Sequence, residues 1–139
     1  LLKNSIIPLI ENSYAADPEK RLIFGNSLAG QFVLYTAMTQ PELFAGHIAS
    51  NPALHRNLSF FLNKNNLGTT ITPKPKLFVS NGSNDDIQFR EPAKKWVQYW
   101  KNQKTHPWVL KIKTLDDEGH MSAIPKAFLL GTKWILESP

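Results

Sequence analysis

Three residue types that together can open an ester bond stand in separate stretches of this chain, in the order Ser27, Asp85 and His120. A hydroxyl is a poor nucleophile at neutral pH until an imidazole accepts its proton, and the imidazole needs a carboxylate to fix its tautomer and stabilise its charged form. Ser27 lies in RLIFGNSLAGQ, residues 21–31, where an apolar run stops at Gly25, turns through Asn26 and becomes helical. That is the strand-turn-helix setting of a G-x-S-x-G nucleophile elbow, with Ala29 in place of the last glycine. Average composition lets G-x-S-x-[G/A] arise in about one chain in ten of this length, so the serine counts only together with its partners.

Each of the three residues also has a plainer reading. Ser27 could be an ordinary helix N-cap after a glycine turn. His120 could be a loop histidine beside an acidic cluster. The acid is open among Asp85, Asp86, Asp116, Asp117 and Glu118, all in loops. The Asp-Asp-Glu run before His120 could instead hold a metal, but consecutive carboxylates on a loop lack an established ligand spacing and are usually solvated. His47 falls inside an apolar run and His106 beside Pro107, which suits structural or exposed roles; His55 falls where it could line a pocket.

The elements that must position these residues alternate along the chain. Residues 1–15 carry Leu2, Ile6, Ile7, Leu9 and Ile10 on one helical face, with Pro8 requiring a late start or a kink. A turn over residues 17–20 leads to a first strand, 21–25, and then to an unbroken, largely buried helix, 28–39, stopped before Pro41. Residues 44–50 predict a second strand ending at the Asn51-Pro52 turn, and 54–62 an aromatic-rich helix. After a polar loop through 63–76, residues 77–80 form a third strand that ends in the NGSNDD cluster. Residues 92–103 place Trp96, Val97, Tyr99 and Trp100 along the buried side of a helix, and 108–115 alternate as a fourth strand. Ser122 is positioned to cap a last helix running to about Glu137, with Pro125 in its first turn. Such alternation implies a parallel sheet with helices on both faces, and ligands bind at the carboxyl ends of its strands. All three chemical residues leave from those ends.

Composition bounds what else the chain can be. With 139 residues, 42% of them hydrophobic, it has the makings of one domain with a real core. Its net charge of +5 comes from sixteen Lys and Arg spread along the chain, with no run longer than Lys94-Lys95, so a solvated basic surface is expected rather than a nucleic-acid patch. The absence of cysteine excludes disulfides, thiolate nucleophiles and zinc-thiolate sites, and leaves the compartment open. No apolar run approaches a membrane span, and residues 1–14 have neither a basic region nor a small-residue cleavage site. The pattern begins without Met and in mid-element, so a piece of a longer domain is expected.

The segments RLIFGNSLAGQFVLYTAMTQPELFAGHIASNPAL, LFVSNGSNDD and EGHMSAIPKAFLLGTKWIL resemble the putative-esterase branch of the α/β-hydrolases, which includes esterase D and siderophore (enterobactin-type) ester hydrolases. Shared traits are the proline and phenylalanine after the elbow helix, here Pro41 and Phe44, and a strand ending near a Ser-Pro pair, here Ser50-Asn51-Pro52. The segment opened by His120 and closing at Trp134 is the most specific part. The resemblance implies the C-terminal half of an α/β-hydrolase fold, with about four parallel strands. It implies Ser27 as nucleophile, His120 as base and Asp85, three residues beyond Gly82, as the acid, with Asp86 as runner-up. It also implies the Leu28 N–H as one oxyanion donor, a second donor coming from a loop of upstream strands. Ala29 departs from the pattern by adding a Cβ at the turn.

These observations lead to a serine ester hydrolase acting on a small-molecule ester, with no metal or organic cofactor. Asn26, Leu54 and His55 are candidate pocket residues, and Phe60 and Phe61 cluster near them. The strand at 21–25 would form an open sheet edge, which invites pairing with the missing half or with a second copy. The rival reading is a non-catalytic hydrolase-like module or inactive fragment. A thioesterase or acyl transferase is a further alternative, because a triad does not choose its acceptor.

Overall fold

The computed structural model describes residues 1–137. A π-helical turn at Leu2–Ile6 runs into helix α1 (Ile7–Ser13), which carries Pro8 at its second residue. A short turn at Pro18–Lys20, capped by Asp17, leads to β1 (Leu22–Asn26), α2 (Leu28–Thr39) and β2 (Gly46–Ser50). The chain continues through α3 (Leu58–Phe61), β3 (Lys76–Gly82), α4 (Ile87–Lys101), β4 (Val109–Leu115) and α5 (Ala123–Glu137).

The four strands pair in the order β1-β2-β3-β4, all parallel. Strands added in one direction by right-handed crossovers must carry their connecting helices on one face. Accordingly α2, α3 and α4 share a core with Ala49, Leu77 and Val79, while α5 covers the opposite face over Ile48 and Phe78. Alternation along β2 and β3 sends neighbouring residues to opposite cores. On the first face Trp96, Trp100 and Trp108 pack together, and two of them satisfy their indole N–H groups on backbone carbonyls, Trp108 on Ala37 at 2.6 Å and Trp100 on Phe61 at 2.9 Å. A buried indole usually finds such a partner.

Two elements differ from the sequence expectation, for identifiable reasons. α4 begins at Ile87 rather than at Pro92, because the Asp86 carboxylate accepts the Gln88 N–H at 3.0 Å and caps it there. Pro92 then sits inside the helix. The helix expected over 54–62 shrinks to α3, since Ala53 donates its N–H to the Ser27 carbonyl at 3.0 Å and Leu54 plunges into the core. That stretch of backbone is committed to the elbow and has no freedom to coil.

Candidate active site

Ser27 occupies the bend between β1 and α2 with φ 58° and ψ −118°, a backbone conformation that L-residues seldom adopt. It stands at the N-cap position yet makes no capping bond with its side chain, so the hydroxyl is not spent on the helix. The bend is held on both sides: the Ser27 N–H donates to the Ser50 carbonyl and its own carbonyl receives the Ala53 N–H, both at 3.0 Å. A Cβ on Gly25 would fall 2.3 Å from the Ala29 carbonyl oxygen, and one on Gly30 would fall 2.8 Å from the Ser50 carbonyl. The tight positions of this elbow are therefore 25 and 30. Ala29 is exposed and its Cβ is accommodated, so its departure from the motif leaves the turn intact. Leu28 is the first residue of α2, where a backbone N–H has no acceptor within the helix.

Asp85 and His120 meet across the loops that follow β3 and β4. His120 Nδ1 lies 2.9 Å from Asp85 Oδ1, and the Asp85 side chain is 1% exposed against 22% for the imidazole. A carboxylate can only accept, so Nδ1 carries the proton and donates it; in the neutral ring Nε2 is then left as a free base. The same carboxylate oxygen accepts the Asp86 N–H at 2.7 Å. Asp86 itself points to the solvent side and caps α4. Of the two neighbouring acids, the geometry thus gives Asp85 to the imidazole and Asp86 to a helix.

Among the other loop acids, Glu118 has side-chain partners of its own. Glu118 is held below the ordinary carboxylate range by the Ser122 hydroxyl and then by Lys126. Ser122, which directly precedes α5, accepts the Gly119 N–H on its Oγ at 2.9 Å and so closes the histidine loop. Asp117, at φ 62°, donates its N–H to Ser83 Oγ at 2.8 Å. Among the described residues no group of three or more His, Asp or Glu side chains is disposed to hold a metal ion.

The candidate pocket residues divide. Asn26 Nδ2 donates to the His120 carbonyl at 3.2 Å, which sets the elbow beside the histidine loop. His55 is exposed and packs edge-on against Phe89, whose ring is stacked on His120 at a centroid distance of 4.5 Å. Leu54 does not line an opening: it is fully buried in the core. Phe60 and Phe61, with Leu28, Phe32, Tyr35 and Arg56, border a groove of about 560 Å³ along α2. His47 is fully buried in β2, and burial pushes its pKa down to about 4. His106 donates from Nε2 to the Trp100 carbonyl at 2.6 Å. Both are structural, as their positions in the sequence suggested.

A strained serine ahead of a helix, followed in the chain by a paired aspartate and histidine, is accompanied by a sequence match. The family model described as "Putative esterase" matches residues 1–119. The chain belongs to that esterase family. It is 37% identical over 73 residues to the ferri-bacillibactin esterase BesA of Bacillus subtilis (strain 168), a stretch covering 52% of this chain and 25% of that protein. The fold is also that of known hydrolase structures. It superposes with a TM-score of 0.81 and 23% identity on the BES protein from Bacillus cereus, covering 96% of this chain and 53% of that one. The siderophore hydrolase EstB from Aspergillus nidulans gives 0.78 at 15% identity, over 96% of this chain and 54% of that one. A CE1 ferulic acid esterase from Anaeromyces mucronatus gives 0.74 at 19% identity, over 94% and 50%. The chain thus spans about half the length of the solved structures it matches.

Two contributors to this cluster escaped the sequence reading. Phe89 has an ordinary helical position, and only its stacking on His120 reveals it. Asn51 read as a turn former, yet its buried side chain touches two loops of the site. Its partners are backbone groups far along the chain, which no residue pattern encodes. Among the described residues, no helix is long and apolar enough to cross a membrane.

Proposed function

We propose that the chain carries the catalytic triad of a serine ester hydrolase. The observation that carries this reading is the Asp85–His120 contact, which fixes the histidine tautomer that leaves Nε2 free to act as a base. Ser27 Oγ attacks the ester carbonyl carbon while His120 Nε2 takes its proton. Asp85 holds the ring and stabilises the imidazolium. The Leu28 N–H, at the positive end of the α2 dipole, donates to the oxyanion of the tetrahedral intermediate. Collapse expels the alkoxide, which His120 protonates, leaving an acyl-enzyme on Ser27. Water, deprotonated by the same histidine, then releases the acid. Asn26, bonded to the His120 carbonyl, and His55, packed on the Phe89 ring that stacks on His120, serve as pocket contacts, while Leu54, buried in the core, does not.

The relatives named as a ferri-bacillibactin esterase and as siderophore hydrolases point to a siderophore-type ester as the substrate class. The second oxyanion donor is assigned to a loop outside this chain, as the resemblance to hydrolases implies. β1 closes one edge of the sheet with no strand on its outer side among the described residues. We assign that edge to pairing with an upstream segment or a second copy. A non-catalytic module is the weaker account, because a lost activity gives no physical reason to keep a buried carboxylate against a histidine. Hydrolysis of p-nitrophenyl acetate tests the reading. A burst of nitrophenolate matching the enzyme concentration, abolished by Ser27→Ala, is expected; turnover that survives Ser27→Ala would refute it.

A further inference from the structure

Asn51 connects the loop that carries Asp85 to the loop that carries His120, although it supplies no reacting atom. It follows β2 directly, is fully buried, and adopts φ 40°, a left-handed conformation that asparagine enters more readily than most residues. Its N–H donates to the Ser80 carbonyl at 2.8 Å. Its side chain bridges two loops. Oδ1 accepts the Gly82 N–H at 2.7 Å, where the acid loop leaves β3. Nδ2 donates to the carbonyls of Gly119 at 3.3 Å and His120 at 3.1 Å. The partners dictate the amide orientation: an N–H faces the oxygen and two carbonyls face the nitrogen, and a flipped amide would oppose like groups at all three contacts.

We infer that Asn51 is the positioning residue that sets the separation of Asp85 and His120, by tying the acid loop and the histidine loop to the end of β2. The inference rests on the triad reading above. Residues 50–53 also hold Ser27, through the Ser50 carbonyl and the Ala53 N–H. One short segment that contributes no triad member therefore holds the backbone of Ser27 and His120 and the start of the loop that carries Asp85. Gly82 makes this approach possible, since a Cβ there would fall 2.3 Å from the Glu118 carbonyl oxygen. Asn26 shares the His120 carbonyl from β1 at 3.2 Å, but it reaches only that loop and is half-buried. Asn51 alone among these spans both loops.

Asn51→Asp is the discriminating variant. It keeps an oxygen for the Gly82 N–H and nearly the same volume, but replaces the donor to the histidine loop with an acceptor facing two carbonyls. Two readouts separate the inference from the triad reading. The first needs no activity: the His120 Nδ1–H proton resonance, displaced downfield by the aspartate bond in the wild type, should be lost in Asn51→Asp while the far-ultraviolet spectrum is kept. The second is the labelling rate of Ser27 by a fluorophosphonate, which should fall about 100-fold, the scale of an ångström-sized misplacement. A variant that keeps the His120 resonance and labels within twofold of wild type overturns the inference. A wild type that shows the resonance but never labels overturns the triad reading and leaves the first readout standing. Should the variant not fold, the wild-type Asn51 side-chain amide decides: its Nδ2 resonance should follow the titration of His120, and a flat resonance counts against the role.

Discussion

Asp85 is a nearly dry carboxylate, and a dry carboxylate is stable only if hydrogen bonds and a partner replace its water. The Asp86 N–H and the His120 imidazole do so on one oxygen. This makes the two adjacent acids experimentally separable. Asp85→Asn should lower the acylation rate of Ser27 by about 10⁴-fold, because an amide oxygen cannot stabilise the imidazolium and its NH2 invites the wrong tautomer. Asp86→Asn should leave that rate within about twofold and cost at most a few tenths of a kcal/mol, since asparagine caps helices about as well as aspartate. Pre-steady-state kinetics and a denaturation curve on each variant measure both. In the sequence the serine, the histidine and the pair of acids were legible because glycines and strand ends mark their loops. Which acid turns inward was left open by the residue pattern, as neighbouring residues differ only by the direction the backbone gives them; only the family resemblance pointed to Asp85. Asn51 was invisible for a related reason: it recognises main-chain groups, and any sequence supplies those.

At the scale of elements, the elbow shows how a motif can be met in substance while broken in letter. The pattern asks for glycine at 29, but the crowded positions are Gly25 and Gly30. Gly30→Ala should destabilise the protein by about 1–3 kcal/mol, the usual cost of forcing a methyl into filled space. Ala29→Gly restores the letter of the motif and should bring no gain in rate, with a loss of up to about 1 kcal/mol from a more flexible first turn. Paired urea titrations, each with an acylation assay, distinguish the two sites. α2 was foreseen from end to end because its signals are local: the glycine turn before it and Pro41 after it. α4 was misplaced because Pro92 imitates a first-turn proline, whereas the working signal is the Asp86 cap. α3 was overestimated because a tertiary bond between Ala53 and Ser27 outweighs the helical preference of its neighbours.

For the whole molecule, the parallel sheet and its two faces followed from the alternation of strands and helices, which also brought the loops of Ser27, Asp85 and His120 to one end. The opposite end holds a separate liability. His47 is sealed beneath the edge of the Phe44 ring, and burial lowers its pKa from 6.5 to about 4. The unfolded chain takes up a proton there that the folded one refuses. Its contribution is therefore complete above pH 6.5 and is lost as pH falls towards 4, by about 3 kcal/mol in all. His47→Leu should flatten the urea midpoint across that window, and an unchanged acid slope would place the sensitive group elsewhere. The central claim is that Ser27 is the nucleophile, and the most direct measurement is peptide mapping after fluorophosphonate treatment of the protein. The account predicts one adduct, on Ser27, absent from Ser27→Ala and strongly slowed in Asp85→Asn. An adduct on another residue, or labelling that persists in Ser27→Ala, would contradict it.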